Sequence, residues 1–391
     1  MMWKLVMLGD VCNLKNGFAF KSKLFKDKGF PILRISNIQN GRIDTRRPVY
    51  FNPTDYKVDL KKYEVKTGDL LIAMSGATTG KIGFNESQTT FYLNQRVGKL
   101  VPGKDLDKKY LYYLLSTKIE ENLKISKGAA QPNLSSEQIK NIIISLPSIL
   151  EQQSIVAKLD IVFSEIDEGI SQTQKSIENT NLLFEEKIKQ YFIHNITNSP
   201  IVKLSDISEY FNGLTYSPKD VSEDGLIVLR SGNIQNGKMK YQDIKRVNKK
   251  IKDKLYVKPT DILICSRNGS QRLIGKSSLI GEIKEPMTFG TFMMILRSEH
   301  NKYLQWFIKS KLFKKQILKG ENTMINQITR YMLDDISLPF PDKKKYTKIT
   351  KELEELDGHI RMLNKILNIK IDNFKALKSS ILQQELLDEV A

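Results

Sequence analysis

Apolar residues recur at alternating steps of three and four residues along two long, otherwise polar stretches of the chain. This heptad rhythm is typical of a helix with one apolar stripe, so we predict two long helices. The first seam comprises the apolar residues Leu159, Phe163, Ile166, Ile170, Ile177 and Phe184 and ends at Tyr191. Three polar residues in the same rhythm weaken it, namely Thr173, Thr180 and Lys187. The second comprises Leu353, Leu356, Ile360, Leu363, Leu367, Phe374, Leu377 and Ile381, with Lys370 in the same rhythm.

Signals for helix ends flank both stretches. Ser148 and Glu151 match a capping box, and Pro200 lies beyond the other end, so the first helix is predicted from Ser148 to about Ile193. Asp342 is a candidate N-cap of the second helix.

Neither helix is expected to be stable alone, because each has one apolar stripe and otherwise charged faces. The economical arrangement pairs them antiparallel about a pseudo-twofold axis, over roughly 50 Å at about 1.5 Å per residue. Such a rod would hold the preceding globular segments at its opposite ends. In the alternative arrangement, each helix packs only on its own domain.

The globular segments before the two helices are copies of one another. Residues 8–41 align with residues 204–237 without a gap and share 13 of 34 residues, most densely at 33–41 and 229–237. Shorter matches follow in the same order, where 68–72 meets 260–264, 109–111 meets 302–304 and 144–147 meets 336–339. The chain is therefore an internal duplication.

The length of 391 residues also favours two cores, because typical domains hold about 100 to 150 residues. We predict an α+β protein with two similar domains, separated by two long antiparallel coiled-coil helices and related by internal pseudo-twofold symmetry. The predicted segments are a first domain (1–147), a central helical spacer (148–200), a second domain (201–341) and a C-terminal helical spacer (342–391).

The charge of the chain points to a polyanionic partner. Lys and Arg number 62 against 44 Asp and Glu, a formal net charge of +18, which makes nucleic acid the first candidate. A membrane surface is the rival, but the sequence has no run of about 18 apolar residues and the basic residues are spread over both halves. The first ten residues are too soon interrupted by charge for a signal peptide, so we expect a cytoplasmic protein without membrane contact.

Two glycine-rich stretches resemble phosphate-binding loops and fail the pattern in opposite ways. A phosphate loop needs four residues between the first Gly and Gly-Lys, followed by Ser or Thr. After Gly76 only three residues intervene, and Ile82 takes the hydroxyl position. After Gly269 five intervene, although Ser277 supplies the hydroxyl. These failures argue against ATP hydrolysis, whereas such loops can bring backbone amides close to DNA phosphates.

Other catalytic or metal chemistry finds no support in the sequence. Cys12 and Cys265 occupy unrelated positions of the repeat and are expected to be packing residues. The three histidines, His194, His300 and His359, are isolated and form no ligand pair. We therefore predict neither a metal site nor a catalytic residue.

The order of the repeated motifs closely resembles the specificity subunit of type I restriction-modification systems. The motifs are Leu-Gly-Asp-Val (8–11), Arg-Ile-Ser-Asn-Ile (34–38), Gly-Asp-Leu-Leu (68–71), Leu-Asn-Gln-Arg (93–96) and Leu146-Pro147 followed by Glu151-Gln152-Gln153. The resemblance covers essentially the whole chain. Each motif is weakly specific, but their order, twice over, is highly specific.

The resemblance implies a non-catalytic DNA-reading subunit of a DNA adenine methyltransferase and restriction complex. Two target recognition domains would each read half of a bipartite, asymmetric sequence in double-stranded DNA. The helices would set the gap and dock two methyltransferase subunits. No cofactor is implied for this chain, because the methyl donor is expected on the methyltransferase subunit, and ATP and magnesium on a restriction subunit.

The second half departs from the family pattern at two places. It has Asp342-Lys343-Lys344-Lys345 where the first half has Glu151-Gln152-Gln153, and Gly290-Thr291-Phe292 where the first has Leu93-Asn94-Gln95. The second docking surface is therefore expected to be less typical.

The duplication also separates shared residues from discriminating ones. If the two halves read different sequences, residues identical in both cannot distinguish those sequences. Framework hydrogen bonds or shared phosphate contacts are therefore predicted for Arg34, Asn37 and Gln39 and for Arg230, Asn233 and Gln235. The Asn-Gly pairs next to them are typical of hairpin turns.

Base-reading residues are expected where the halves diverge, because Arg, Lys, Asn and Gln pair with guanine and adenine edges in the major groove. The candidates in the first domain are Arg42, Arg46, Arg47, Lys81, Gln95, Arg96, Gln131 and Asn133. Those in the second domain are Lys238, Arg267, Asn268, Gln271, Arg272, Lys276, Asn326, Gln327 and Arg330.

Two alternatives stay open at this point. One is a self-contained ATP-dependent nuclease, which the two failed phosphate loops disfavour. The other is a generic coiled-coil DNA-binding scaffold, which predicts strongly salt-dependent binding without sequence preference.

Overall fold

The computed structural model describes residues 3–39, 41–46, 48–125, 133–318 and 327–387. The chain divides into two compact units, one made of Met1–Thr173 with Ile369–Ala391 and the other of Gln174–Asn368. Each unit therefore contains one globular domain and a part of each long helix. This division differs from the four predicted segments, in which the helices were set apart from the domains.

The first half of the chain contains twelve named strands and four named helices among the described residues. The strands are β1 (Lys4–Met7), β2 (Cys12–Asn16), β3 (Phe30–Leu33), β4 (Ile38–Gln39), β5 (Gly41–Ile43), β6 (Val49–Phe51), β7 (Glu64–Val65), β8 (Leu70–Ala73), β9 (Ile82–Phe84), β10 (Phe91–Leu93), β11 (Val97–Pro102) and β12 (Ile143–Leu146). The helices are α1 (Leu8–Val11), α2 (Lys108–Ile125), α3 (Ser136–Lys140) and α4 (Ile149–Asn198).

The second half repeats this order within the part that the structure describes. Its strands are β13 (Ile201–Lys203), β14 (Glu209–Asn212), β15 (Val221–Ser222), β16 (Leu226–Leu229), β17 (Ile234–Gln235), β18 (Lys238–Met239), β19 (Lys245–Val247), β20 (Ile262–Cys265), β21 (Ser277–Leu279), β22 (Met287–Phe289), β23 (Met293–Arg297) and β24 (Ser337–Pro339). Its helices are α5 (Leu204–Ile207), α6 (Asn301–Lys309), α7 (Lys311–Ile317), α8 (Arg330–Asp334) and α9 (Lys343–Leu387).

The two domains share the central strands of both sheets, which confirms the duplication and the α+β class. The first domain has a six-stranded sheet of order β2-β11-β8-β9-β5-β4 and a four-stranded sheet of order β6-β3-β10-β7. The second repeats β2-β11-β8-β9 as β14-β23-β20-β21 and β6-β3-β10 as β19-β16-β22. The fourth strand of the smaller sheet differs, since β7 lies beside β10 in the first domain and β15 lies beside β19 in the second. Its hairpin β17-β18 forms a separate two-stranded sheet, whereas β5 of the first domain pairs in parallel with β9.

The beginning and end of each domain meet in a short antiparallel pair. β1 pairs with β12, so that Lys4 lies opposite Leu146. β13 pairs with β24 in the same way, so that Ile201 lies opposite Pro339. Each domain is therefore closed where it joins the following long helix.

The repeated apolar tetrapeptides form the central strands of the domains. Every residue of β8 and of β20 is buried. A strand buried on both faces reads as a continuous apolar run, which explains the Leu-Leu-Ile and Ile-Leu-Ile segments in the repeat. The aspartate before each run is also structural, since Asp69 accepts a hydrogen bond from Lys66 N at 2.8 Å and Asp261 one from Lys258 N at 2.8 Å.

The predicted caps of the long helices are present. Ser148 N donates to Glu151 Oε2 at 2.9 Å, and Glu151 N donates to Ser148 Oγ at 3.3 Å, which completes the capping box. At the start of α9, Lys345 N donates to Asp342 Oδ1 at 3.0 Å.

The two long helices run antiparallel within each unit. In the first unit Lys158 of α4 pairs with Glu385 of α9, and Asp167 pairs with Lys378 at 2.8 Å. In the second unit Asn364 Nδ2 donates to Asn181 Oδ1 at 2.9 Å, and Tyr191 Oη donates to Glu352 Oε2 at 2.5 Å. The alternative in which each helix packs only on its own domain is wrong, because these contacts join the helices directly.

The predicted seam of α9 is wrong at two leucines. Leu363 and Leu377 are 43% and 48% exposed, whereas Ile371 is 6% exposed. Every second position of the seam lies one residue later than predicted, at 364, 371 and 378 instead of 363, 370 and 377. Asn364 and Lys378 occupy two of them because they bind Asn181 and Asp167 across the helix pair, and a search for apolar residues passes over such polar partners.

The end of the first seam is also wrong, at Lys187, which is exposed. Ile188 and Phe192 are the buried residues there, at 3% and 1% exposure. The shift has a geometric cause, because a straight helix drifts by about 20° per heptad from a strict 3.5-residue repeat. Phe192 contacts the rings of Tyr303 and Phe307 in α6, so this end of α4 packs on the second domain.

Gln152, in the Glu-Gln-Gln segment that follows the first domain, is buried. The side-chain amide of Gln152 accepts from Asp107 N at 2.7 Å and donates to the carbonyls of Asp105 and Pro147, both at 2.9 Å. In the second half, Tyr346 Oη lies 2.9 Å from His300 Nδ1 at the corresponding junction. The departure of the second half at this place therefore changes how the domain is tied to its helix.

Candidate nucleic-acid interface

The two glycine-rich loops are hairpin connections between antiparallel strands, β8 to β9 and β20 to β21. Gly80 N donates to Ala73 O at 2.8 Å, and Gly275 N donates to Cys265 O at 2.9 Å. Both glycines have φ near +80°, which only glycine adopts readily. A phosphate loop leads from a strand into a helix, whereas each of these loops leads into another strand, so the geometry agrees with the failed spacing.

Beside each hairpin, two further loops converge on the end of the central strand. In the first domain, Met74 N donates to Arg96 O at 2.9 Å, Leu134 N donates to Met74 O at 2.8 Å, and Ser75 forms a β-bridge with Asn133. We call residues 74–81, 95–96 and 133 the first loop cluster. The contact brings three distant segments of sequence to one place.

The second domain assembles the same cluster with the same hydrogen bonds. Ser266 N donates to Phe292 O at 3.0 Å, Ile328 N donates to Ser266 O at 2.7 Å, and Arg267 forms a β-bridge with Gln327. We call residues 266–276, 291–292 and 327 the second loop cluster.

The second loop cluster brings together most of the base-reading candidates of its domain. Lys276 Nζ donates to Ser231 O at 3.3 Å and Asn268 Nδ2 to Ser231 Oγ at 3.4 Å, so both side chains are anchored at the short helical turn of residues 231–233. The exposed members of the cluster among the candidates are Arg267, Gln271, Arg272 and Gln327. The other two described candidates lie outside the cluster, Lys238 on β18 and Arg330 at the start of α8.

The first loop cluster contains four described candidates, Lys81, Gln95, Arg96 and Asn133, all exposed. Arg42 and Arg46 lie outside it and have acidic partners. Arg42 Nε lies 3.4 Å from Glu86, and Arg46 makes a two-point contact with Asp44 at 2.9 and 2.7 Å. The hydrogen bond to Asp44, together with its charge, raises the pKa of Arg46. Arg47, Gln131 and Asn326 lie outside the described residues.

The residues identical in both halves make the same hydrogen bonds in both. The buried Asn37 accepts from Arg34 N at 2.9 Å and donates to Asp44 O at 2.9 Å. Asn233 accepts from Arg230 N at 2.9 Å and donates to Lys240 O at 3.0 Å. These contacts tie the turn before each hairpin to the residue that follows the hairpin's second strand, while a role in phosphate binding stays a prediction.

The two glutamines and two arginines of the shared set are closer to the surface. Gln39 Nε2 donates to Ser36 O at 3.0 Å, and Gln235 Nε2 donates to Gly232 O at 3.3 Å. Both arginines are half-buried, and each has an Nε without a hydrogen-bond partner among the described residues. The Asn-Gly hairpin is confirmed in the second domain, where Asn236 and Gly237 have φ of 51° and 68°.

Replacing Asn233 by Ala is expected to destabilise the second domain by about 1 to 3 kcal/mol, because the backbone groups of Arg230 and Lys240 lose their buried partner. Thermal unfolding of the purified chain measures the effect. Gln235→Ala is the control and should stay within about 0.5 kcal/mol of the unchanged chain, since Gln235 is exposed. Equal effects of the two substitutions would contradict the framework role of Asn233.

One exposed residue of the second loop cluster was not among the candidates. Phe292 is 55% exposed and lies between the buried strands β22 and β23. The sequence alignment set it opposite Gln95, but the structure sets it opposite Arg96, because Phe18 N binds Leu93 O where Leu214 N binds Phe289 O. An aromatic residue in a tight turn between two apolar strands is the signal that could have identified it.

The two cysteines are packing residues, as predicted. Both cysteines are buried, and burial raises the pKa of Cys12 to about 11 and also raises that of Cys265. Among the described residues, no three His, Cys, Asp or Glu side chains lie close enough to hold a metal ion. No helix in the described ranges has the length and apolar character to cross a membrane.

Comparison with known proteins bears directly on these paired clusters. The family model of the type I restriction modification DNA specificity domain matches residues 2–179 and again residues 198–371. The chain belongs to this family. Each loop cluster therefore lies within one type I DNA specificity domain.

Relatives of this specificity-domain family match along most of the chain. The type I restriction enzyme EcoBI specificity subunit of Escherichia coli is 22% identical over 436 aligned positions, covering 99% of this chain and 86% of the relative. A putative type I restriction enzyme MjaX specificity subunit of Methanocaldococcus jannaschii is 26% identical, covering 93% of this chain and 88% of the relative.

Two solved structures show the same fold. A chain from a structure describing complex assembly and conformational transition of the type I R-M system has a TM-score of 0.75, at 17% identity, over 99% of this chain and 98% of that one. The HsdS subunit from Thermoanaerobacter tengcongensis has a TM-score of 0.50 over 99% and 97% of the two chains, also at 17% identity.

Proposed function

We propose that the chain is the sequence-specific DNA-binding subunit of a type I restriction-modification complex and has no catalytic site of its own. The observation that carries the proposal is the pair of loop clusters. The same backbone framework presents different side chains at equivalent places, in two domains that both match the type I DNA specificity family. A protein that reads an asymmetric target in two parts needs this combination of equal scaffolds and unequal surfaces.

Each loop cluster is assigned to one half of a bipartite target. The net charge of +18 supplies attraction to phosphates that is independent of sequence. Discrimination then rests on the residues that differ between the clusters. The sharpest contrast is Arg267 against Ser75, which occupy the same position, since their bridge partners are Gln327 and Asn133.

The long helices are assigned to the docking of two methyltransferase subunits and, through them, of restriction subunits. Support comes from apolar side chains of α4 and α9 that stay exposed and do not pack between the two helices. In the second unit these are Leu182, Leu183, Met362, Leu363 and Ile366, which are 43% to 72% exposed. Apolar side chains left exposed on a helix pair are available for contact with a partner protein. The methyl donor, ATP and magnesium then belong to the partner subunits, and the complex works in the cytoplasm.

The function is tested by mapping adenine methylation across the genome of the source cell, with and without this gene. Loss of one split motif with a fixed gap is the expected result. An unchanged map, together with sequence-independent DNA binding by the purified chain and its methyltransferase partner, would overturn the proposal in favour of a generic scaffold. ATP turnover by the isolated chain would favour a self-contained nuclease.

Arg267→Ala is expected to weaken recognition of one half-site only, by about 1 to 3 kcal/mol, because a two-point arginine contact to a guanine edge is lost. Binding of the chain with its methyltransferase partner to duplexes altered in either half-site measures this. Arg330→Ala is a useful comparison, since this exposed arginine of the same domain lies outside the cluster. A uniform loss on all duplexes, with a salt slope reduced by about 1, would instead mark Arg267 as a phosphate contact.

A further inference from the structure

The backbone of Phe292 is held unusually firmly for a residue in a surface turn. Its carbonyl oxygen accepts hydrogen bonds from Ser266 N at 3.0 Å, Arg267 N at 3.1 Å and Ser266 Oγ at 3.1 Å. The turn itself is closed by Met293 N, which donates to Gly290 O at 2.8 Å. The chain thus fixes the position of a side chain that stays 55% exposed.

The guanidinium of Arg267 lies over the ring of Phe292. The distance from Cζ to the ring centroid is 5.8 Å, within the range of a cation–π contact. Unlike Arg42 and Arg46, Arg267 has no carboxylate within ion-pair distance among the described residues. Stacking on the ring limits the rotation of the guanidinium, while its N–H groups are not taken up by an acidic partner.

This pair exists in one domain only. The equivalent positions of the first domain hold Ser75 and Arg96, because Met74 N binds Arg96 O where Ser266 N binds Phe292 O. Residues that differ on an identical scaffold are the ones that can distinguish the two half-sites. Phe292 therefore belongs with the candidates for base contact, although it has no hydrogen-bonding group.

The chemistry of the pair matches two neighbouring base edges in the major groove. Arginine donates to O6 and N7 of guanine, and phenylalanine makes apolar contact with the 5-methyl group of thymine. Insertion of a phenylalanine ring as a wedge between base steps is a minor-groove mode, whereas the guanine edge and the thymine methyl group are read in the major groove. The guanidinium of Arg267 lies over one face of Phe292, so the other face and the edge are available to a methyl group.

We propose that Arg267 and Phe292 form one reading unit, which recognises a guanine next to a thymine in the half-site of the second domain. Arg267 binds the guanine edge, and Phe292 packs on the thymine methyl group. The inference rests on the proposed function and adds the base step that the second domain reads.

The test uses the chain assembled with its methyltransferase partner and the target taken from the methylation map. The half-site of the second domain is the one whose recognition Arg267→Ala changes. Each thymine of that half-site is replaced in turn by deoxyuridine, which removes only the methyl group. One replacement, beside a guanine, is expected to lower the affinity of the unchanged complex about fourfold, the size of one buried methyl group.

Phe292→Ala is expected to abolish this difference, so that the thymine and deoxyuridine duplexes bind equally. Tyr331→Ala is the matched control, because Tyr331 is an 83% exposed aromatic residue of the same domain outside the second loop cluster. It should keep the fourfold ratio. Assembly with the methyltransferase partner, measured without DNA, should be unchanged in both variants.

Several outcomes overturn the inference. They are a half-site without guanine next to thymine on either strand, a complex insensitive to every deoxyuridine, and a Phe292→Ala variant that keeps the ratio. Weaker assembly of Phe292→Ala with the methyltransferase would assign the ring to a protein contact instead. If the unchanged complex cannot tell its target from a scrambled duplex, the proposed function itself fails, which separates the two failures.

Discussion

Phe374→Asp is expected to separate α4 from α9 in the first unit while both globular domains stay folded. The ring of Phe374 lies against Gly169, where an added Cβ atom would be only 2.8 Å from Cζ of the ring. It packs on the apolar cluster that contains Leu159, Phe163 and Ile166. Losing a fully buried ring costs about 3 to 5 kcal/mol, and the half-buried Phe374 sets the lower part of that range, to which a carboxylate in its place adds a desolvation cost.

Hydrogen exchange measures this effect by segment. Amides of residues 155–170 and 369–385 are expected to exchange about 100-fold faster, or more, because each 1.4 kcal/mol or so changes the opening equilibrium tenfold. Methylation of the target by the assembled complex should fall with it. Full methylation by Phe374→Asp would show that the helix pair does not set the gap.

Leu363→Asp is the matched control on the same helix. Leu363 shares the predicted seam with Phe374, but it is 43% exposed, so exchange in the isolated chain should change little. Because Leu363 is among the exposed residues assigned to docking, its substitution is expected to weaken assembly with the methyltransferase instead. Faster exchange in Leu363→Asp than in Phe374→Asp would show that Leu363 packs in the helix seam, as the sequence predicted.

Asp261→Ala is expected to destabilise the second domain by about 3 to 5 kcal/mol. Asp261 is 2% exposed and binds Arg297 through two hydrogen bonds, at 2.8 Å to Nε and 2.6 Å to Nη2. Removing the carboxylate leaves a guanidinium that is only 17% exposed without its partner, which is the costly way to break a buried ion pair.

Tryptophan fluorescence can follow this domain alone. The chain has two tryptophans, Trp3 in the first domain and the buried Trp306 in the second, so a Trp3→Phe background leaves one reporter. In that background, the double variant Asp261→Ala with Arg297→Leu should recover much of the lost stability, because no unpaired charge remains. Glu285→Ala breaks a more exposed ion pair with Arg246 and should cost at most about 1 kcal/mol. Equal losses for Asp261→Ala and Glu285→Ala would refute the distinction between the two ion pairs.

The duplication and both long helices could be predicted because their signals are local and repeated. Identities between the halves concentrate where side chains bind the backbone, as Asn37 and Asn233 do, or where a strand is buried on both faces. The caps at Ser148 and Asp342 depend only on neighbouring residues, so the sequence predicts them equally well.

The errors arise where a long-range partner decides. Leu363 looks like a better seam residue than Asn364 until Asn181 is seen opposite it. Hydrogen bonds between separate loops show that Phe292 is equivalent to Arg96. The sequences of the two turns share no identical residue, so an alignment cannot decide which residues correspond. The loop clusters are harder still, because their members come from distant segments and differ between the halves. The repeat itself therefore gives no second example to compare.

The short strand pairs β1-β12 and β13-β24 make each domain suited to exchange as a unit. Since Lys4 lies opposite Leu146 and Ile201 opposite Pro339, the chain enters and leaves each domain at one place. A foreign domain whose ends meet in the same two-stranded pairing, and which keeps the surface of α6 that packs on Phe192, is expected to replace residues 201–339 without altering the course of either helix. Recombination between genes at these two points would change half of the recognised sequence in one step and preserve the other half. A lineage carrying such genes can thus acquire new specificities by shuffling rather than by gradual substitution.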